Sequence, residues 1–562
     1  MCGIAGYISN NPEHDPRQIV HDMLKEISHR GPDQSGIYSR KGLALGMVRL
    51  SIIDKERHDI PYEAPDGSAV IVYNGEIYNH EDIRRSYRGE YEFKTQSDAE
   101  TVLCHYLKQK TSSFRDYNGM YAFAIYDGRD KEMYIVRDRA GEKPLYYVRS
   151  GDFFAFASEI KALLKLVKPI YNRECLSYEA FEFNTGEKTL FKDIYCLMPG
   201  DYLKIDRALN VTKHSYWKIW DNLTEMPDDL KKIESRLTDL LVDSILLRTK
   251  NCVHRFGTFV SGGVDSALIA CIAKPDYIYT CHYPIAKDYD ELHYAQLVAK
   301  KIKKRLVVVR PTQEDFRRTN RKIVYHLDTP CTWTSFSLWM LLERASRDIK
   351  VVLSGDGADE IFSGYHRYHL LNHDESIKQL EALRQYSYLI DRYYGSTVER
   401  YARIVNRCEN KYNQEVVKYL EETIGDFFGR INNDHIHAMG LADFYTSMQE
   451  LLQFADRINM AFHVENRAPF LDYRLIQFAF SMPSKYKIKD GVTKWILKRV
   501  AKKFIPAEIA ARVDKRGFSA PVNRWFGWGK NGKYDRSEYR KHVFNEWVKV
   551  FNVETVPPAG PR

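Results

Sequence analysis

The sequence contains few cysteines, and none of them stand at the spacing of a metal site. Nine cysteines are scattered over 562 residues without a CxxC pair. Structural zinc sites and disulfide frameworks need closely spaced or paired cysteines, so the sequence predicts neither. We interpret the interior cysteines as small buried hydrophobic residues in a reducing compartment, which predicts a cytoplasmic protein.

Long apolar runs and an excess of one charge are also lacking. No window approaches the run of about 20 apolar residues that spans a bilayer, and the N-terminal MCGIAGYISNNPEHD lacks the basic start of a signal peptide. The 84 basic and 75 acidic residues give a net charge of only +9, a weak basis for nucleic-acid binding. We therefore expect a soluble protein with small-molecule partners and neither nucleic-acid nor membrane partners.

The first part of the chain predicts a layered α+β domain over residues 1–215. Apolar runs ended by Asn, Asp or Gly read as strands, whereas the stretches after Pro16 and around 97–108 have helical spacing. The strand-like runs are GLALGMVRLSIID, SAVIVYNGEIYN, MYAFAIYDG and EMYIVRD. A polar stretch, residues 216–231, is predicted to link this domain to the next.

The second part predicts an α/β domain with a parallel sheet over residues 232–545. Short β-branched runs alternate there with long helical segments, which is the pattern of βαβ units. The runs are RFGTFV, YIYTCHYP, RLVVVRP and KVVLSG. From about Ala382 the pattern is mainly helical, KDGVTKWILKRVAKK has the spacing of an amphipathic helix, and residues 546–562 are predicted to be a C-terminal tail.

Cysteine at position 2 is a candidate nucleophile. If Met1 is removed, Cys2 has both a thiol and a free α-amine, whose pKa of about 7.7–8.0 leaves a useful neutral fraction near pH 7. The amine can then accept the proton of the thiol, so that one residue supplies nucleophile and base.

An acyl-transfer site also needs an oxyanion hole and groups that hold the charged ends of the substrate. Asn74 and Gly75 end an apolar run, where an amide side chain and a backbone N–H can face a pocket. Arg49 could hold a carboxylate through its guanidinium group, and Asp98 could pair with an ammonium. Each also has a structural interpretation: turn residues for Asn74 and Gly75, a surface charge for Arg49, and a helix N-cap for Asp98.

Five motifs in this part resemble the glutaminase domain of class II glutamine amidotransferases. They are MCGIAGY, HRGPDQSG, RLSIID, YNGEIYN and SDAE. The resemblance implies an N-terminal-nucleophile αββα sandwich with Cys2 as nucleophile. It further implies that Asn74 and Gly75 form the oxyanion hole, and that glutamine is bound by Arg49, Ile53, Asn74, Gly75, Glu76 and Asp98.

Two strand-to-loop motifs in the second part predict a nucleotide site. SGGVDS lies between a strand and a helix, where backbone N–H groups and a helix N-terminus suit a phosphate, although the GK[ST] ending of a P-loop is missing. Asp265 could take a magnesium ion that bridges phosphates. VVLSGDGADE repeats the arrangement with Asp356, Asp359 and Glu360, and ligands of open parallel sheets lie beyond the carboxyl ends of the strands.

These motifs, together with DRINMAFHVENRAPFLD, TKWILKR and KRGFSAP, resemble the synthetase domain of the glutamine-hydrolysing asparagine synthetases. The resemblance implies an ATP-pyrophosphatase fold in which a carboxylate, aspartate in that family, attacks ATP to give an acyl-adenylate, which ammonia then converts to an amide. It implies catalytic roles for Asp356 and Lys494, magnesium at Asp265 and Asp359, and a possible homodimer. The ATP-binding residues that it implies are Val260, Ser261, Gly262, Gly263, Asp265, Ser266, His282, Tyr283, Ser354 and Gly355.

The acceptor is the least determined part of this prediction. Asp356 stands where many members of the family have glutamate, and the segment 329–343, near the expected acceptor pocket, matches the usual pattern poorly. A sugar uronate or a peptide acid is therefore an alternative acceptor.

Other functions fit the motifs less well. β-Lactam synthetase relatives typically have no working N-terminal nucleophile, and amidotransferases that make phosphoribosylamine or glucosamine phosphate lack SGGVDS. A catalytically decayed glutamine- or nucleotide-binding protein is the non-enzymatic alternative. The intact residues Cys2, Asp265, Asp359 and Lys494 argue against it.

Overall fold

The computed structural model describes most of both predicted domains. The described residues are 1–52, 59–175, 182, 184, 186–250, 252, 254–285, 289–365, 367, 368, 401, 402, 405, 421, 422, 434–512, 520–528 and 536–554.

Two six-stranded antiparallel sheets form the first domain. The first sheet has the strand order β10-β8-β9-β1-β3-β2, and the second has the order β12-β11-β7-β6-β5-β4. The strands are β1 Cys2–Ser9, β2 Gln34–Arg40, β3 Leu43–Arg49, β4 Tyr62–Glu63, β5 Ala69–Ile77, β6 Gly119–Asp127, β7 Glu132–Arg137, β8 Tyr146–Arg149, β9 Phe153–Ala157, β10 Tyr195–Cys196, β11 Asp201–Ile205 and β12 Val211–Ser215.

The two sheets face each other and are covered by helices on their outer sides. Strand β1 contacts β5 across the middle layer, where the side chains of β3 and β5 are almost entirely buried. Helix α1 (Pro16–Glu26) packs on β1 and β3, and α3 (Asp98–Gln109) packs on β5. Such doubly covered strands are apolar on both faces, as their continuous hydrophobic runs indicated. The arrangement confirms the predicted αββα sandwich.

A five-stranded parallel sheet forms the centre of the second domain. Its order is β15-β14-β13-β16-β17, and each neighbouring pair is parallel. The strands are β13 Phe256–Phe259, β14 Tyr277–Cys281, β15 Arg305–Val309, β16 Val351–Leu353 and β17 Glu465–Arg467. The four runs predicted as strands correspond to β13–β16, which confirms the α/β class. The three-residue β17 was not predicted, because Glu-Asn-Arg has no apolar run.

Helices surround the sheets of both domains. Beyond α1 and α3 they are α2 His80–Ser86, α4 Ile160–Leu163, α5 Leu230–Leu247, α6 Val264–Ala273, α7 Leu292–Ile302, α8 Gln313–Leu327, α9 Trp333–Ala345, α10 Ala358–Phe362, α11 His435–Tyr445, α12 Ser447–Ala461, α13 Tyr473–Ser481, α14 Trp495–Ala501, α15 Ala507–Ala511, α16 Val522–Phe526 and α17 Arg536–Phe551. Short 3₁₀ helices cover Ser28–Arg30, Lys110–Arg115, Ile219–Asn222, Pro469–Leu471 and Ser484–Tyr486.

Two helices differ in extent from the sequence predictions. Helix α14 occupies only seven residues of the predicted amphipathic helix, and the segment after Ala382 lies partly outside the described residues. Helix α17 continues through Trp547, which is fully buried, so the predicted tail begins inside a packed helix. Within the described ranges, no helix is both long and apolar enough to cross a membrane.

Candidate active site

Cys2 is the first residue of β1 and lies opposite Arg49 of β3 in the strand register. Its backbone N–H donates to Asn74 Oδ1 at 2.9 Å, and its carbonyl accepts from Arg30 Nε at 3.0 Å. The residue is buried. The candidate nucleophile is therefore held at both backbone ends by side chains from other elements.

Asn74 and Gly75 belong to β5 and lie beside Cys2, which belongs to β1. The sequence suggested that the apolar run ends at Asn74 and Gly75, whereas β5 continues to Ile77. Asn74 is fully buried, and its Nδ2 has no hydrogen-bond partner among the described residues, so an amide donor is available beside Cys2. A Cβ at Gly75 would lie 2.3 Å from the carbonyl oxygen of Met120. Only glycine fits there, which keeps the strand backbone against the pocket.

A small pocket beside Cys2, here the Cys2 pocket, has a volume of about 40 Å³. Positive and negative groups meet in it, namely Arg49 from β3, Glu76 from β5 and Asp98 from α3. Both ends of an amino acid zwitterion could therefore be bound. The lining residues are Met1, Cys2, Met47, Arg49, Leu50, Ile52, Tyr62, Tyr73, Gly75, Glu76, Ser97, Asp98, Ala99 and Glu465. Ile53, also predicted to bind glutamine, lies outside the described residues.

The carboxylate of Asp98 is fixed by two donors. The Tyr73 hydroxyl donates to Asp98 Oδ2 at 2.5 Å and the backbone N–H of Ile77 donates to the same oxygen at 2.9 Å. Burial, with the negative charge of Asp98, raises the pKa of Tyr73 well above its usual value, so the phenol remains a donor. The N-cap of α3 is Ser97 and not Asp98, which leaves Asp98 oriented toward the pocket by these contacts.

Met1 occupies part of the Cys2 pocket. Its terminal amine donates to the Leu50 carbonyl at 3.2 Å and pairs with Glu465 Oε2 at 3.4 Å, with both groups buried. Removal of Met1 would vacate this space and convert the Cys2 backbone nitrogen into an α-amine beside Asn74 Oδ1. The structure thus gives a physical reason why Met1 and a substrate compete for one space.

The SGGVDS segment forms a tight loop between β13 and α6. Gly262 has φ +65°, a conformation that side chains disfavour, and Ser261 N–H donates to Ser266 Oγ at 3.3 Å. Gly263 is the N-cap of α6 and supplies no side-chain cap, so the first N–H groups of the helix remain available to an anion.

Lys494 joins the two predicted nucleotide loops. Its Nζ lies 2.7 Å from Asp265 Oδ2 of the first loop and 2.7 Å from Asp359 Oδ1 of the second. Lys494 is buried and lines a small pocket of about 60 Å³ together with Gly262, Gly263, Lys498 and Arg512. Three cations beside a helix N-terminus form a site suited to phosphate oxygens.

A larger cavity, here the loop cavity, lies beyond the carboxyl ends of the parallel strands and has a volume of about 520 Å³. It is lined by Ser261, Asp265, Ser266, Ser354, Gly355, Asp356 and Asp359 from the two loops. Residues of α9 (Thr334, Ser335, Leu338), of α12 (Ser447, Glu450, Leu451, Phe454, Ala455, Asn459) and of β17 (Asn466) complete it, with Glu182, Phe259, Thr332, Tyr365 and Arg367.

Asp356 is half-buried in the wall of the loop cavity. Its Oδ2 accepts from Ser354 Oγ at 2.7 Å and from Asn466 Nδ2 at 3.3 Å. Burial raises the pKa of Asp356, and these two hydrogen bonds oppose that rise. The Asp356 side chain, which is one methylene shorter than the glutamate of many family members, is thereby held in place from two directions.

Three of the predicted ATP contacts line neither the loop cavity nor the small pocket at Lys494. Val260 is fully buried, with its carbonyl accepting from Thr280 Oγ1 at 2.9 Å. His282 Nδ1 lies 2.9 Å from Asp290 Oδ1, and the Tyr283 hydroxyl lies 2.7 Å from Ser337 Oγ. Their contact with a nucleotide stays a prediction.

Several site residues were not found from the sequence. Lys498 follows Lys494 by one helical turn within TKWILKR, so spacing could have indicated it. Tyr73 precedes Asn74 in YNGEIYN and could have been inferred from its neighbour. Arg512 and Asn466 reach their sites only through the tertiary fold, so no local pattern indicates them.

Two known families match this chain. The profile of the family described as asparagine synthase matches residues 236–542, more than half of the chain, and that of the glutamine amidotransferase domain matches residues 1–217.

Two similar curated proteins are the glutamine-hydrolyzing asparagine synthetases 1 and 3 of Bacillus subtilis (strain 168). Each is 29% identical and aligns over 98% of this chain, with 89% and 90% of its own length covered. A solved structure of the glutamine phosphoribosylpyrophosphate amidotransferase from B. subtilis aligns at a TM-score of 0.30 and 15% identity, over 63% of this chain and 82% of that chain.

Proposed function

The chain belongs to the asparagine synthase family, and we propose that it is a glutamine-hydrolysing asparagine synthetase. Glutamine would be hydrolysed at Cys2, and its ammonia would convert an aspartyl-adenylate to asparagine, with glutamate, AMP and pyrophosphate as the other products. The observation that supports this most is the position of β17, whose residues Glu465 and Asn466 line the Cys2 pocket and the loop cavity respectively. One strand thus lies between the Cys2 pocket and the loop cavity, where the proposal places glutamine hydrolysis and nucleotide binding.

In the first half-reaction, the Cys2 sulfur attacks the side-chain carbonyl of glutamine. The α-amine takes the thiol proton, and the carbonyl oxygen gains negative charge. The unpartnered Asn74 Nδ2, with the Gly75 backbone, is placed to donate to this oxyanion. Arg49 would hold the α-carboxylate and Asp98 the α-ammonium of glutamine. The protonated α-amine then gives its proton to the leaving nitrogen, ammonia departs as the thioester forms, and water then releases glutamate from the sulfur.

In the second half-reaction, the acceptor carboxylate attacks the α-phosphorus of ATP and pyrophosphate leaves. The loop from Ser261 to Ser266 and the first turn of α6 would bind the pyrophosphate through backbone N–H groups. Lys494 already holds the two loops together and would balance the growing charge on the leaving oxygens. Asp356 lines the same cavity as Ser261 and Ser266 and would act near the acceptor.

The carboxylates of Asp265 and Asp359 fit a magnesium ion. They face each other closely enough for one ammonium, that of Lys494, to contact both. Magnesium is commonly held by one or two carboxylates and by substrate phosphates, which is the donor set available here. When bound, the ion would neutralise charge on the leaving pyrophosphate.

Joining the two sites has a chemical reason. Ammonia in water at pH 7 is mostly ammonium, which has no lone pair for attack on an acyl group. A short path past β17 would deliver it as ammonia.

The decisive experiment measures pyrophosphate release with ATP, magnesium and either glutamine or ammonium chloride, across a panel of acids. We expect aspartate to support release, and Cys2→Ala to abolish the glutamine-dependent reaction while sparing the ammonia-dependent one. Loss of both activities in a folded variant would contradict the assignment of glutamine hydrolysis and ammonia-dependent synthesis to separate sites. Pyrophosphate release with a uronate or a peptide acid but not with aspartate would show that this other acid is the acceptor. No pyrophosphate release with any acid would favour a catalytically decayed binding protein.

A further inference from the structure

The wall of the loop cavity contains several acidic side chains and, among the residues that the structure describes, a single basic one. The basic side chain is that of Arg367. A carboxylate that enters this cavity meets like charges at close range, so its binding needs a cation. Arg367 is therefore the first candidate for contact with the acceptor acid. The acidic side chains are those of Glu182, Asp265, Asp356, Asp359 and Glu450.

Asp443 fixes the direction of the Arg367 side chain. Arg367 Nε donates to Asp443 Oδ2 at 3.0 Å, and Nη2 lies 2.7 Å from Asp443 Oδ1. The guanidinium carbon also lies 4.0 Å from the ring centre of Tyr365. Asp443 is fully buried on α11 and accepts from the Tyr401 hydroxyl at 2.6 Å. A guanidinium that is already held on one edge and one face loses little freedom when a ligand binds to it.

The third nitrogen of this guanidinium, Arg367 Nη1, remains for a ligand. Nε and Nη2 contact Asp443 and Ser447, whereas Nη1 makes no hydrogen bond within the described ranges. Because the guanidinium is planar, the hydrogens of Nη1 point away from the edge that Asp443 occupies. The side chain is 18% exposed and borders the loop cavity, so a ligand in the cavity can reach the edge that Asp443 leaves open.

The phosphates of ATP have other cations available to them. The small pocket at the N-terminus of α6 is lined by Lys494, Lys498 and Arg512. Arg367 is not part of the described lining of that pocket. Its Nη2 lies instead 3.4 Å from Ser447 Oγ in the first turn of α12, a helix without a side-chain cap. The positive end of α12 adds to the charge of Arg367, so this part of the cavity suits the anionic acceptor.

An acceptor that reacts at one carboxylate needs another group to orient it. The reacting carboxylate attacks ATP at the two loops, where Asp356 and Asp359 line the cavity. A carboxylate held by a guanidinium is a weaker nucleophile because its charge is neutralised, so Arg367 suits a group that does not react. Aspartate has such a second carboxylate, whereas a simple uronate has only the one that reacts.

We propose that Arg367 binds the non-reacting carboxylate of the acceptor and so selects a dicarboxylate. The inference rests on the function given above, names the residue that would set its acceptor specificity, and adds no covalent step. Arg367 would contact the substrate away from the reacting atoms, so it would stabilise the bound ground state and the transition state equally. Its removal is therefore expected to raise the KM for the acceptor and to leave kcat almost unchanged.

The test compares aspartate with its α-amide, isoasparagine, at saturating ATP, magnesium and ammonium chloride. The α-amide keeps the reacting carboxylate and replaces the other one with a neutral group. In wild type we expect kcat/KM for pyrophosphate release to be at least about tenfold higher with aspartate, the usual effect of one hydrogen bond to a charged group. Arg367→Gln should abolish this preference by raising the KM for aspartate, with little change for the α-amide. Arg344→Gln, at an arginine that pairs with Asp348, is the matched control and should keep the preference.

A second variant separates recognition from a structural role, because Arg367→Gln leaves the buried Asp443 without its counter-charge. The double variant Arg367→Gln/Asp443→Asn removes both charges of the pair. Loss of the preference for aspartate in this variant, with glutamate release intact, supports the proposal. An equal fall in kcat/KM for both acids would show a structural role, and a rise in the KM for ATP alone would show phosphate binding. Either result overturns the proposal, and equal use of the two acids by wild type overturns it without any variant.

Failure of the proposed function has a different signature. If a dicarboxylate other than aspartate supports pyrophosphate release, and Arg367→Gln raises its KM, the proposed acceptor is wrong and the inference stands. Release with monocarboxylates alone overturns the inference. If no acid supports release, equilibrium dialysis of labelled aspartate and labelled succinate is performed with α,β-methylene-ATP present. Binding of either acid that is at least about tenfold weaker in Arg367→Gln supports the inference, and equal or absent binding overturns it.

Discussion

Arg30 of the first domain and Asp456 of the second form a buried two-bond ion pair. Arg30 Nη1 donates to Asp456 Oδ2 at 2.8 Å, and Nη2 donates to Oδ1 at 3.2 Å. The same guanidinium donates through Nε to the Cys2 carbonyl. Asp456 lies on α12, the helix whose other residues line the loop cavity. One arginine therefore links the backbone of the candidate nucleophile to a wall of the second site.

We predict that Asp456→Asn lowers the free energy of unfolding by about 1.5–3 kcal/mol, because it removes one of the two carboxylates that bind the buried Arg30 guanidinium while Glu159 remains. Glutamate release should also fall, since Arg30 positions Cys2. Urea unfolding and a glutaminase assay measure the two effects. The exposed pair of Asp82 and Arg85 is the control, where Asp82→Asn should change stability by less than about 1 kcal/mol. Equal losses of stability in Asp456→Asn and Asp82→Asn would contradict the assignment of Asp456 as a buried partner of Arg30.

Asn74→Ala should slow glutamine hydrolysis by about 10²–10³-fold in kcat, the usual effect of removing one oxyanion donor. The KM for glutamine should change little, because Arg49 and Asp98 remain. Ammonia-dependent synthesis is the internal control and should be retained. A large rise in KM with unchanged kcat would instead place Asn74 in ground-state binding.

Lys494→Gln should reduce ammonia-dependent pyrophosphate release by at least about 100-fold. The substitution removes the cation that contacts Asp265 and Asp359, so these carboxylates repel each other and the leaving group loses a counter-charge. Glutamate release by the same variant shows whether the first domain is intact. Lys502→Gln, at an exposed lysine, should behave as wild type. Normal pyrophosphate release by Lys494→Gln would show that Lys494 takes no part in this reaction.

Glu450 predicts a pH-dependent contribution to stability. Burial raises the pKa of its carboxyl to about 8, against about 4.3 in an unfolded chain. The folded state therefore holds a proton that the unfolded state releases between these values. The protonated Glu450 carboxyl therefore makes its full contribution to the free energy of unfolding below about pH 4. As pH rises toward 8 this contribution is lost, which lowers the free energy of unfolding by about 5 kcal/mol at most.

Glu450→Gln removes the titrating carboxyl, so the variant should gain stability relative to wild type as pH rises from 5 to 8. Urea unfolding at the two pH values measures the difference, with the exposed Glu81→Gln as the control for loss of a surface carboxyl. A wild-type-to-variant difference that is the same at both pH values would show that Glu450 does not titrate in this range.

Intact mass should show that Met1 is absent from the active enzyme. Met1 lines the Cys2 pocket, and its presence acylates the nitrogen that would serve as the base. Protein prepared with and without methionine removal can be compared in the glutaminase assay. Equal activity of the two forms would mean that another group takes the thiol proton.

Local patterns were sufficient for the elements that are long and apolar. The runs at β3, β5, β6 and β7 and the four runs of the parallel sheet were predicted as strands because each is a short, mainly apolar run, and the first four are almost entirely buried. The two glycine-rich loops were equally visible, since phosphate binding needs small residues at a strand end. Strand β17 was missed, because three polar residues have neither length nor periodicity.

The sequence by itself determined the fold classes and the chemical identity of the groups at Cys2 and at the two loops, because these depend on residue type and short spacing. Only the tertiary structure decided which groups meet: Lys494 between Asp265 and Asp359, Arg30 on Asp456, and Asn466 on Asp356. These partners are up to 426 residues apart in the chain. Their contact follows from the packing of whole sheets and helices, which no local pattern encodes.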